Sequence, residues 1–233
     1  MKAMILAAGR GERMRPLTDT VPKPLLPAAG RPLIVRLIDR LVAAGIRDLV
    51  INHAHLGALI ESTLGDGRRF GADIRYSAET TALETAGGIA RALPLLGDDP
   101  FAVINGDVYA AFDFARLPAI ARRLAADPAT IAHLVLVDNP SHHPAGDFAL
   151  SGDRAAAEGS VKLTFGGIGV YRPELFAGLD PDAPARLAPL LRAAMNRGAV
   201  TAEHFGGYWL DVGTPERLAE LDVRLTPAAA GNP

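Results

Sequence analysis

Residues 6–18 read Leu6-Ala7-Ala8-Gly9-Arg10-Gly11-Glu12-Arg13-Met14-Arg15-Pro16-Leu17-Thr18, and Pro22-Lys23-Pro24-Leu25 follows after three residues. Ala3–Leu6 is a short apolar run broken by small residues, the pattern of a buried strand ending at a loop. Glycines after such a strand let a backbone approach a phosphate closely, and successive amides can cradle it. Arg13 can fork onto two phosphate oxygens, while Lys23, stiffened between two prolines, offers a point charge. The loop continues to about residue 31, which is long for a compact fold and argues for a function.

Charge supports this. Residues 1–36 carry a local charge of +5, the whole chain −2, leaving −7 for the rest. A basic segment on a mildly acidic chain predicts a focused anion site, and argues against bulk affinity for nucleic acid or an anionic membrane. There are only three lysines, Lys2, Lys23 and Lys162. With no cysteine in the 233 residues, a disulfide framework, a Cys-based zinc site and a thiol nucleophile are excluded. No apolar run approaches the ~18 residues of a membrane span. The apolar start runs straight into Arg10 and Arg13, so it is read as a strand rather than a signal peptide, and the cytoplasm is the expected compartment.

Beyond the loop, the pattern predicts helices over 32–44, 55–64, 85–96, 114–126 and 185–196, and one starting at Pro215 with Thr214 as N-cap. Strands are expected over 48–52, 73–76, 101–105, 134–137, 148–150, 161–171, 200–204 and 208–210. Strands alternate with helices early and are mixed later. The predicted fold class is α/β, with a mostly parallel central sheet, helices on both faces and mixed strands in the second half. One domain is expected over 1–225, with a nucleotide half at 1–110, an acceptor half at 111–225 and a frayed tail at 226–233. A P-loop, a dinucleotide fingerprint and a nucleophile elbow are all missing. His53/His55 and His142/His143 lack an obvious third metal ligand, so they read as surface or core histidines.

The quoted stretch resembles the signature of the sugar-1-phosphate nucleotidyltransferases, L-A-A/G-G-x-G-x-R-x-x-P-x-T…P-K-P. Further segments resemble the same family: Ser77–Ile89 its base-reading loop, Asn105-Gly106-Asp107 its metal segment, Gly146-Asp147-Phe148 its sugar loop, Gly166–Tyr171 its A-G-I-Y, and Trp209–Thr214 its W-x-D-x-G-T. The likeness covers residues 3–222 and implies a Rossmann-like nucleotidyltransferase fold. It also implies attack of a sugar 1-phosphate on the α-phosphorus of a nucleoside triphosphate, with Mg²⁺ held by Asp107 and Asp211. Arg13, Lys23 and Asp107 are the implied catalytic residues. Nucleotide contacts are implied for Ala8, Gly9, Gly11, Glu12, Arg13, Lys23, Glu79, Thr85, Ala86 and Gly87. Acceptor contacts are implied for Asn105, Gly146, Asp147, Glu158 and Gly167.

The chain departs from the family at Glu84, where glycine is usual, at Glu79, where thymidylyl members have Gln, and at Phe165, where a sugar-reading Asn is usual. Among members, Leu83–Gly88, Val137–His143 and Gly146–Phe148 most resemble the uridylyltransferases of peptidoglycan recycling. UTP and N-acetylmuramate α-1-phosphate are therefore the implied partners, with no nucleic acid, no membrane and a monomer. A mannose- or heptose-1-phosphate guanylyltransferase, a phosphocholine cytidylyltransferase and an inactive regulatory module stay open as alternatives.

Overall fold

The computed structural model describes residues 1–226. Of the expected frayed tail at 226–233, all but Thr226 lies outside the described residues. The strands are β1 (Lys2–Leu6), β2 (Pro27–Ala28), β3 (Arg31–Pro32), β4 (Asp48–His53), β5 (Asp73–Ala78), β6 (Phe101–Asn105), β7 (Val108–Ala110), β8 (Ala132–Val137), β9 (Phe148–Ser151), β10 (Arg154–Ala156), β11 (Lys162–Tyr171), β12 (Val200–Phe205) and β13 (Trp209–Asp211). The helices are α1 (Leu33–Ala43), α2 (Gly57–Leu64), α3 (Glu84–Leu96), α4 (Leu117–Ala126), α5 (Leu187–Met195) and α6 (Pro215–Leu225).

Nine strands form the central sheet in the order β5-β4-β1-β6-β11-β8-β12-β10-β9. β5, β4, β1 and β6 pair in parallel, as helical crossovers between them require. In the second half β8 and β12 pair in parallel, while β11 and β10 run against their neighbours. The expected parallel first half and mixed second half are both found.

Alternation along β1 sets the two cores. Ala3 and Ile5 point to one face and Met4 to the other, as strand geometry dictates. On the first face Ile34, Ile38 and Leu41 of α1, Ile60 and Leu64 of α2 and Leu117, Ile120 and Leu124 of α4 bury against the sheet. On the second, Ile89 of α3 and Leu187 and Leu191 of α5 do the same. A third cluster joins Met14 and Leu26 of the N-terminal loop to Leu210, Val212 and Leu218, so α6 packs under that loop. Asp222 Oδ1 of α6 accepts the Ala29 amide at 2.7 Å and ties the two together.

Strand β11 is the seam. Its first residues pair with β9, its last with β6, and the register to β8 slips between Phe165 and Ile168. The two residues at the slip are Gly166 and Gly167, and Gly167 takes φ +69°, open to glycine at low cost. The bulge falls where β11 passes from pairing with β9 to pairing with β6.

Candidate functional site

The carboxyl ends of β1, β4, β5 and β6 open on one edge, where parallel sheets receive ligands. A cleft of about 410 Å³ lies there, lined by Ala7, Ala8, Gly9, Lys23, Asn52, Glu79, Glu84, Thr85, Asn105 and Asp107 among others. A hydrogen-bonded chain fixes its wall. Asn52 Oδ1 accepts the Ala7 amide at 2.9 Å, and Asn52 Nδ2 donates to Glu79 Oε1 at 2.6 Å. Glu79 Oε2 accepts the Leu83 amide at 3.1 Å. Glu79 is buried, so its carboxylate is held in place while each oxygen keeps capacity for one more donor.

Lys23 is 8% exposed, and its ammonium donates to Asp107 Oδ2 at 2.5 Å. A buried lysine needs such a partner. Asp107 follows β6 after one residue, Gly106. Its carbonyl accepts the Val212 amide at 2.8 Å, and β7 and β13 zip antiparallel with Asp211 opposite Val108. The short pairing therefore brings two aspartates, 104 positions apart in the chain, to the same corner. Asp211 is ion-paired with Arg217 and lies 3.1 Å from His142 Nε2. Gly213 leaves space that arginines fill: a β-carbon there would stand 3.1 Å from Arg13 Nη2 and 2.5 Å from Arg217 Nη2. Arg13, Lys23, Asp107 and Asp211 thus cluster at one corner. Asp107 lines the cleft, while Asp211 stands behind it with its Oδ1 engaged by Arg217 and His142; carboxylates are the ligand type a hard divalent ion takes, few in number and beside several waters.

A second cleft of about 280 Å³ adjoins the first and shares Glu84, Thr85 and Asn105 with it. Asp147, Phe148, Phe165, Arg186, Leu187, Leu191 and Arg192 also line it. Asp147 Oδ2 accepts the Phe165 amide at 2.8 Å, and its Oδ1 lies 3.1 Å from His143 Nε2. Gly167 lets Asn105 stand close, since a β-carbon there would be 2.7 Å from Asn105 Nδ2.

Not every expected residue joins these walls. Ala86 and Gly87 lie in the first turn of α3, and both amides donate to the Ala185 carbonyl, at 2.9 and 3.1 Å. They anchor the helix to the chain before α5, and neither residue lines either cleft. Gly11 and Glu12 shape the loop, and Gly146 a turn beside Asn139; none of them lines either cleft. Glu158 is exposed and bonded to Lys162 at 2.9 Å. That hydrogen bond and the Lys162 charge hold its carboxyl below the usual range, with a smaller contribution from Arg192. Conversely, the histidines read as bland both reach the site, His142 at Asp211 and His143 at Asp147. Arg186, Arg192 and Arg217 carried no sequence signal, because only tertiary packing brings them there.

Residues 2–145 match the nucleotidyl transferase family. An N-acetylmuramate alpha-1-phosphate uridylyltransferase of Neisseria meningitidis serogroup B is 54% identical over 228 residues, covering 96% of this chain and 97% of its own. One from Caulobacter vibrioides is 36% identical over 97% of both chains. A solved protein of Bacillus anthracis in complex with sucrose superposes with a TM-score of 0.84 over 100% of this chain and 98% of its own, at 24% identity, a likeness of fold. With the family's match spanning more than half of its residues and a relative 54% identical over nearly its whole length, the chain belongs to the nucleotidyl transferase family.

Proposed function

We propose that this protein transfers the uridylyl group of UTP to N-acetylmuramate α-1-phosphate, giving the UDP-sugar and pyrophosphate in peptidoglycan recycling. The observation that carries it is the buried Lys23–Asp107 pair at the mouth of the cleft, in a chain that shares more than half its residues with a uridylyltransferase of that sugar. The acceptor phosphate attacks the α-phosphorus as the bond to the β-phosphate oxygen breaks. A phosphate monoester has its second pKa near ~6, so the nucleophile is anionic at neutral pH and no general base is required.

The protein's task is to position two polyanions that repel each other. In this reading Lys23 spans the α-phosphate and the incoming phosphate, and Arg13 offsets the charge of the β- and γ-phosphates. Asp107 and Asp211 would hold Mg²⁺, which when bound supplies charge compensation to the phosphate oxygens. Asn52 and Glu79 present a fixed wall to the base, and Asn105 and Asp147 contact the acceptor. The chain is taken to act as one domain and as a monomer.

The test is pyrophosphate release from each of the four nucleoside triphosphates with Mg²⁺ and a panel of sugar 1-phosphates. Turnover with UTP and N-acetylmuramate α-1-phosphate is expected; turnover with GTP alone overturns the uridylyl assignment. Asp107→Asn should lower kcat by about 10²–10³-fold, the scale of losing one preorganised electrostatic group, with its circular dichroism unchanged.

A further inference from the structure

We propose that Arg186 and Arg192, which line the acceptor cleft beside Phe165, form an anion subsite that selects a sugar 1-phosphate carrying a carboxylate on its ring. The inference rests on the functional reading above and deepens it. Muramate differs from glucosamine by a lactyl ether at O3, and the lactyl carboxylate is ionised at neutral pH.

Three observations carry it. First, the cationic corner where phosphates would meet, Lys23 with Asp107, belongs to the first cleft, while the second is lined by neither residue. The two guanidinium groups of the second cleft therefore line a part of the site that lacks the Lys23–Asp107 pair. Second, Arg192 sits over the Phe148 ring, its guanidinium carbon 5.9 Å from the ring centre, and among the described residues no carboxylate lies within ion-pair distance of it. Arg186 has only a long pair, 3.7 Å, to Glu84. Both keep their fork of donors for a ligand, and a planar fork matches a carboxylate in two parallel bonds.

Third, the remaining wall is of the right kind for the rest of such a sugar. Phe165, Leu187 and Leu191 give an apolar surface for a lactyl methyl and a ring face, and Asp147 accepts from hydroxyls. Glu84 begins α3 with φ +57°, a conformation costly for a side chain with a β-carbon. Its carboxylate stands at the junction of the two clefts, facing Arg186. The strained residue thereby holds one arginine at the rim where an acceptor spans both clefts.

The test compares three acceptors with the full chain: N-acetylmuramate α-1-phosphate, its lactyl methyl ester, and N-acetylglucosamine α-1-phosphate. For the unaltered protein, kcat/KM should favour the free carboxylate over both others. In Arg186→Gln/Arg192→Gln that preference should shrink about 10- to 100-fold, the loss expected of charge-assisted hydrogen bonds. A general folding or catalytic defect lowers all three acceptors together and leaves the ratio alone, so the ratio reports the subsite. A ratio that survives the double substitution, including the case where both arginines grip the common phosphate, overturns the inference and spares the function. No turnover of any of the three by the unaltered protein overturns the functional reading and this inference with it.

Discussion

Gly106 links β6 to Asp107, and a β-carbon there would stand 2.7 Å from the Leu6 carbonyl oxygen and 3.3 Å from Ile5 Cγ2. That oxygen accepts the Gly106 amide at 2.9 Å, so neither backbone can move aside cheaply. Gly106→Ala should therefore cost about 1–3 kcal/mol, a fall in Tm of roughly 2–12 °C for a chain of this size, read by thermal unfolding. An unchanged Tm would show that β1 and β6 separate freely at this point. At this scale the sequence was legible at Lys23 and Asp107, two expected site residues that the structure brings together in one cleft. It was mute at His142 and Arg192, whose partners lie far away in the chain. It gave no sign that the Ala185 carbonyl takes the Ala86 and Gly87 amides, since that contact spans about a hundred residues.

Among the elements, β8 and β12 show how a polar cluster is kept at a half-buried sheet position. His133 and Thr201 face each other across the pair, Nδ1 to Oγ1 at 2.9 Å, and Glu203 lies between His133 and Arg116. Burial alone would raise the Glu203 carboxyl, but the bonds from His133 and Arg116 outweigh it and hold it below the usual glutamate range. A carboxylate so depressed stabilises the fold above its unfolded pKa, about 4.3, and loses that contribution as pH falls through its folded value. Urea unfolding of Glu203→Gln against the unaltered protein should then show a stability gap at pH 7 that closes progressively below about pH 4.3. A gap of constant size down to pH 3 would remove Glu203 from the acid response. The long elements were readable from periodicity. The three-residue strands β7 and β10 were not, since so few residues carry no period, yet β7 is the strand against which β13 brings Asp211 next to Asp107.

Taken whole, the molecule places its clefts along the carboxyl edge of the sheet, with walls from both halves of the chain. Any ligand that bridges those walls binds the folded state and not the unfolded one, and stabilises it by mass action. At a concentration 100-fold above Kd the gain is about 2.7 kcal/mol, or roughly 5–11 °C in Tm. UTP with Mg²⁺ is expected to produce a shift of that order, and UTP with a chelator a much smaller one. Equal shifts with and without the metal would separate Asp107 and Asp211 from nucleotide binding. The parallel first half was legible because strand and helix periods alternate there. The reversal of β11 was not, because a run of apolar residues holds no sign of its direction.

That reversed strand also constrains how the enzyme can move. One continuous backbone, pinned by hydrogen bonds to β9 at its start and to β6 at its end, serves as a common rafter for the walls of the two clefts. Two walls nailed to one rafter cannot swing like the shells of a clam without tearing the ladder between them. Whatever adjustment admits a substrate and frees a product must fall to the connecting segments on the open edge, the stretch around Gly9–Pro24 and the turn before α3 foremost.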